Sequence, residues 1–204
     1  MWLVLSMRQR LNRNDSSGSK ERTLMRKSVF GFTLIELLVT LVVVAIVLSA
    51  AIPSFQSQIL NNRSISLGED LASAINLARS EAVKRSTRVA ICASKSGTDC
   101  DGAWTDGFIV FIDTAAKDTD PAPVVGTILK VWGALDLRAV ITAKSDRDDV
   151  TFIRYTGLGT LARVTEKQIV VTAEMKKCTM SAARKITVGL SGMVSVSNVT
   201  CSAS

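Results

Sequence analysis

A chain of 204 residues, 47% of them hydrophobic, has room for one ordinary domain beside a membrane segment. It contains no histidine, so the usual general base of hydrolytic catalysis is missing, and without paired C-x-x-C spacing a zinc site is not expected either. The formal charge of +7 invites a nucleic-acid reading, but residues 1–31 alone carry a net +5 and the rest only +2, so the basic excess is local and is no footprint for DNA by itself.

That excess (Arg8, Arg10, Arg13, Lys20, Arg22, Arg26 and Lys27 against Asp15 and Glu21) lies immediately before an apolar run. In that place it keeps an N-terminus cytoplasmic, as the positive-inside rule describes. Residues 12–22, "NRNDSSGSKER", are polar and turn-rich, with nothing to fold around. The run itself covers 32–52, and after Glu36 only Thr40 and Ser49 interrupt it. As a helix it measures roughly 31 Å, enough to cross a hydrocarbon core. Pro53 follows, where proline removes a donor and crowds the preceding turn, so the helix is expected to end or kink there.

Three readings compete for this run. A cleaved secretory signal would use "SAA" at 49–51, but the run is long for one and carries an acid. A plain anchor leaves Glu36 unexplained, because a carboxylate in lipid is costly and normally has a partner. The third rests on "GFTLIELLVTLVVVAIVLSAAIPSF" (31–55), which resembles the N-terminal signature of type IV pilins and of the pseudopilins of type II secretion. The resemblance implies cleavage by a prepilin peptidase between Gly31 and Phe32, N-methylation of Phe32, and assembly functions for Glu36 and Pro53. In a filament Glu36 would face the amino group of a neighbouring Phe32. Two such charges 4 Å apart attract by about 4 kcal/mol at an effective dielectric of 20. A leader of 31 residues is long for the family. Met25 would begin one of seven, "MRKSVFG", which makes residues 1–24 an upstream reading-frame extension; a genuine cytoplasmic tail is the other reading.

Residues 54–86 keep a helical period, with Ile59, Leu67, Leu71, Ile75, Ala78 and Ala82 on one stripe and Glu81–Arg85 as an i,i+4 pair. Asn61 and Asn62 are expected to loosen the helix between its membrane and domain parts. From 87 the pattern turns to strands: 87–93, 107–113, 124–132, 150–155, 167–173, 185–190 and 193–199, separated by turn-rich stretches. The apolar stripe must cover something, most simply a sheet, so the expected fold is α+β: a long helix packed on antiparallel strands. The domain plan is a leader at 1–31, a membrane or filament-core helix at 32–53, its amphipathic continuation at 54–86 and a β-rich domain at 87–204.

Four cysteines, Cys92, Cys100, Cys178 and Cys201, lie beyond the apolar run. An even number there fits disulfides in an oxidising compartment, and local pairing, 92 with 100 and 178 with 201, is the simplest of three connectivities; buried thiols are the alternative. The stretch 92–113 supplies a second resemblance, to minor pseudopilins of the GspH/FimT subgroup, whose C…C…W-x-x-G-x-x-V-F pattern falls on Cys92, Cys100, Trp104, Gly107, Val110 and Phe111. "ARSEAVKRS" (78–86) resembles the helix end of the same subgroup. Trp104 then reads as a cap over the sheet and Gly107 as the turn entering a strand.

Other candidate sites are weaker. "GLGTLA" (157–162) matches G-x-G-x-x-A, but strand follows where a dinucleotide loop needs a helix, so it reads as a hairpin turn. Asp99, Asp101 and Asp106, and again Asp146, Asp148 and Asp149, lack calcium-loop spacing and read as solvated loops. Some FimT-type members bind DNA through a G-R-x-R motif, but Met193 and Ser195 stand at the two arginine positions here. Lys176, Lys177, Arg184 and Lys185 remain as a nucleic-acid patch, with a charge-blunted strand edge as the alternative. The resemblance therefore implies a structural subunit, with no enzyme activity, cofactor or metal. Its expected partners are the prepilin peptidase, other pilin or pseudopilin subunits, an inner-membrane assembly platform and membrane lipid. Its globular domain is expected in the periplasm, and DNA uptake is the alternative function.

Overall fold

The computed structural model describes residues 31–162 and 167–202, without the side chains of 50–54. The chain divides into two units, Met1–Val43 and Val44–Ser204. The proposed leader up to residue 30, with its start at Met25, lies outside the described residues.

One helix, α1, runs from Leu34 to Arg85. It does not end at Pro53, and Asn61 and Asn62 do not interrupt it. Asn61 ties the helix to the domain instead: its Nδ2 donates to Thr179 Oγ1 at 3.1 Å and its Oδ1 accepts from Thr179 N at 2.8 Å. The helix has Glu36 in its first turn and Lys84 and Arg85 in its last, the signs that its dipole favours at each end. It closes in a Schellman arrangement. Ser86 takes a left-handed φ of 50°, Ser86 N donates to Val83 O and Thr87 N donates to Ala82 O, each at 3.2 Å. The Glu81–Arg85 pair forms at 2.6 Å.

In the first unit, α1 presents Leu34, Ile35, Leu37, Leu38, Val39, Leu41, Val42 and Val43, all exposed. In the second, its described side chains at 44–49 and, Ser57 apart, at 55–59 are exposed, and it then buries Leu67, Leu71, Ile75, Ala78 and Ala82. Ile59 therefore departs from the expected stripe, because packing against the sheets starts at Ser64, whose Oγ accepts from Met175 N. Among the described residues no helix is long and apolar enough to cross a membrane; the expected span, 32–53, runs into the undescribed side chains at 50–54.

Among the described residues nine strands follow: β1 Val89–Ala93, β2 Phe108–Asp113, β3 Val125–Trp132, β4 Ala139–Ser145, β5 Asp148–Asp149, β6 Phe152–Tyr155, β7 Ile169–Met175, β8 Ala183–Val188 and β9 Val194–Val199. They form two antiparallel sheets, ordered β3-β2-β1-β6 and β5-β4-β7-β8-β9. Seven coincide with the expected strands; β4 and β5 were not foreseen. The main core lies between α1 and both sheets, with Leu71, Ile75, Ile91, Val110, Tyr155 and Ile186 among its fully buried members. A second cluster, Ala90, Cys92, Ile109 and Phe111, occupies the other face of the first sheet, so β1 and β2 are covered on both sides. Small residues set the spacing between helix and sheet. A Cβ at Gly68 would lie 2.3 Å from Arg184 Cβ, so β8 crosses the helix where only glycine fits.

Candidate functional site

At the start of the described chain, a Cβ on Gly31 would meet nothing within 4 Å among the described residues, and Phe32 is 84% exposed. Thr33 caps α1: its Oγ1 accepts the Glu36 backbone N–H at 3.2 Å. Thr33 and Glu36 thus occupy the first and last places of a T-x-x-E capping pattern, a signal legible in the sequence. The two other polar side chains of the described run turn inward: Thr40 Oγ1 donates to Leu37 O at 2.8 Å and Ser49 Oγ to Ile46 O at 2.7 Å. Their hydroxyls are thereby satisfied within the helix. Among the described residues, the Glu36 side chain has neither an ion-pair nor a hydrogen-bond partner.

In the second unit the cysteines pair locally. Cys92–Cys100 closes the loop after β1, with 5.6 Å between Cα atoms, and Cys178–Cys201 joins the β7–β8 loop to the C-terminal tail at 5.8 Å. Glu174 lies beside the second bridge, but both sulfurs are oxidised and its carboxylate accepts from Ser202 N at 2.7 Å and Ser202 Oγ at 2.8 Å. This trio is committed to holding the tail. Trp104 is buried, donates from Nε1 to Val150 O at 2.9 Å and packs near Phe108, as a cap over the sheet should. Gly107 enters β2 with a φ of 130°.

The acidic loops are satisfied from within. Asp101 Oδ1 accepts the Ser96 and Lys95 backbone N–H groups, which in that order hold its carboxyl below the ordinary range, and Asp106 accepts from Ala103 N. Asp146 pairs with Lys167, and Asp149 with Lys144 at 3.7 Å. Residues 156–160 form the expected turn: Gly159 N donates to Thr156 O, and Tyr155 bridges Leu161 across it.

Arg184 is not free to join the proposed nucleic-acid patch. Arg184 is buried, its Nε 3.2 Å from Glu69 Oε1 and its Nη1 turned to the carbonyls of Ser181 and Ala183. Lys185, next along β8, is exposed, and Lys176 and Lys177 occupy the loop beyond β7. Strand alternation sends neighbouring side chains to opposite faces, so a run of basic letters does not make one surface.

The sequence did not reveal a buried ion pair behind β2 and β6. Arg154 Nε lies 2.5 Å from Asp113 Oδ2, with both side chains fully buried. Arg154 also donates to the carbonyls of Asp118, Asp120 and Ala122 at 2.8–3.0 Å, while Asp113 Oδ1 accepts from Ala115 N and Val124 N, each at 2.9 Å. Together they fasten the 114–124 loop. Among the described residues the buried Tyr155 hydroxyl has no hydrogen-bond partner, and burial pushes its pKa upward. Near the start of the packed helix, Asp136 joins Arg63 at 3.0 Å and Arg138 at 3.1 Å. The Arg138 bond, more than any other influence, lowers its pKa to about 2.

A long helix, bare and apolar in its first unit and backed by two antiparallel sheets in its second, defines a pilin-like α+β subunit. The family model for the type II transport protein GspH matches residues 67–192, more than half of the chain, and that for the prokaryotic N-terminal methylation motif matches 26–52. The chain therefore belongs to the GspH family and is a minor pilin or pseudopilin. Among solved structures, the type IV minor pilin FimU of Pseudomonas aeruginosa PAO1 is similar in fold, with 20% identity and a TM-score of 0.50 over 67% of this chain and 89% of that one. A second crystal form of FimU gives 21% identity and a TM-score of 0.47 over 65% and 90%. A comparison with curated protein sequences finds no match. Nothing in this grouping or in the dispersed basic residues supports the DNA-uptake alternative.

Proposed function

We propose that the precursor is inserted in the inner membrane through the apolar part of α1, with its globular domain in the periplasm. Prepilin peptidase then cuts between Gly31 and Phe32, Phe32 is N-methylated, and the subunit joins a pilus or pseudopilus through its helix. Neighbouring pilin subunits and the inner-membrane assembly platform are its partners, and Pro53 lies in the part of the helix that would pack among those neighbours. The observation that carries this reading is Glu36: a carboxylate without a partner among the described residues, on a stretch of helix whose apolar side chains from Leu34 to Leu48 are exposed. In a low-dielectric filament core it needs an external cation, and the new amino terminus of a neighbour, four residues away in register, supplies one.

Two variants test the order of events. Gly31→Ala should accumulate as uncut precursor, while Glu36→Val should be cut normally but fail to appear in sheared filaments. Normal processing of the first refutes the cleavage site. Wild-type incorporation of the second refutes the charge pairing.

A further inference from the structure

Within the second unit, the β3–β4 loop, the β7–β8 loop and the C-terminal tail meet at one end of the five-stranded sheet. Lys176 N donates to Arg138 O at 2.7 Å, joining the first two loops, and Cys201 N donates to Met180 O at 3.0 Å, joining the second to the tail. This end lies toward the N-terminal side of the packed helix: Met175 reaches Ser64 there, whereas the opposite end, at Gly159, reaches Arg79. Two large apolar side chains project from it, Leu137 at 97% and Met180 at 82% exposure. They stand on loops held in place by the Cys178–Cys201 bridge and the Asn61–Thr179 bonds, and Met180 is kept in a left-handed backbone with a φ of 59°.

The charge around these side chains is positive. Arg63, Arg138, Lys176 and Lys177 are all exposed here. Asp136 is paired with both arginines, and Glu174 is buried and taken up by Ser202, so neither acid opposes the lysines. About 13 Å of helix separates Ile52, the end of the apolar run, from Asn61. Snorkelling basic side chains on loops at this end shorten that gap, and tilt of the helix shortens it further.

We infer that this rim of Leu137, Met180, Arg138, Lys176 and Lys177 rests on anionic phospholipid headgroups while the subunit waits in the membrane. Apolar tips enter the interface and the cations meet the lipid phosphates, a combination that neither a bare apolar patch nor a bare basic one provides. The lysines that looked like a nucleic-acid patch would then serve a lipid surface. The inference rests on the proposed membrane insertion of α1.

The test uses the full-length protein carrying Leu137→Trp, reconstituted in vesicles with brominated acyl chains, with Met180→Trp as a second reporter and parental emission subtracted. Retention through alkaline carbonate extraction checks insertion first; release there refutes the membrane reading rather than the rim. For inserted protein, quenching of the new tryptophan should be strong in phosphatidylglycerol-containing vesicles and weak in phosphatidylcholine alone. Lys176→Gln and Lys177→Gln should each lower the docked-to-undocked ratio about fivefold. Equal quenching in both lipids, or none from the lysine changes, overturns the inference. So does shielding in phosphatidylcholine that grows with protein concentration, which would assign the rim to a neighbouring subunit.

Discussion

Replacing Arg154 by methionine isolates what the buried ion pair contributes. Methionine roughly fills the stem's volume, so little of the loss is cavity. What remains is Asp113, fully buried, still accepting from Ala115 N and Val124 N but with no counter-charge. Removing one partner of a buried pair costs about 3–5 kcal/mol. Three carbonyls, of Asp118, Asp120 and Ala122, also lose their donor. They sit on a loop that is partly exposed, so water can replace the guanidinium there and their share should be small. The expected destabilisation is therefore about 4 kcal/mol. With a urea slope of about 2 kcal/mol/M the midpoint should fall by about 2 M. The assay is urea unfolding followed by tryptophan emission, alongside Asp113→Asn, which keeps the shape but not the charge. A loss below about 1 kcal/mol for Arg154→Met would mean that water already reaches Asp113, and the account of this pair as a dry clasp would be wrong.

Two further substitutions probe the same domain. Gly68→Ala places a methyl 2.3 Å from Arg184 Cβ, so β8 must retreat from the helix; a loss of about 1–3 kcal/mol is expected in thermal unfolding, and neutrality would refute the close crossing. The bridges differ in the loop they close. Chain-entropy arithmetic gives about 3.4 kcal/mol for Cys178–Cys201, separated by 23 residues, and about 2.5 for Cys92–Cys100, separated by 8; Cys→Ser pairs measured in urea should preserve that order.

The sequence announced much of this fold, and the exceptions have physical causes. Strands rich in β-branched residues stood out, but β4 did not. Its buried positions are Ala139, Ala143 and Ser145, small side chains that leave hardly any hydrophobic alternation. Asn61 looked like a weak point because isolated asparagine disfavours helix, yet its amide is consumed by Thr179, 118 residues away. Arg154 sits in "FIRY" with Phe152 on the face opposite Ile153 and Tyr155, where alternation predicts solvent. Its partners are mostly loop carbonyls, which every sequence has and no letter marks. At the helix start the opposite holds: the T-x-x-E spacing of Thr33 and Glu36 marks the cap in the letters themselves.

That cap bears on the proposed scission. Thr33 lies on the retained side of the Gly31–Phe32 bond, two residues past the glycine, and so do its contact with Glu36 N and the Leu37 N–H bond to Thr33 O. Among the described residues, neither of these bonds crosses the peptide that the protease would sever. The first turn would emerge already wound, its amino group newly bared, and the ripening of the subunit would need no refolding.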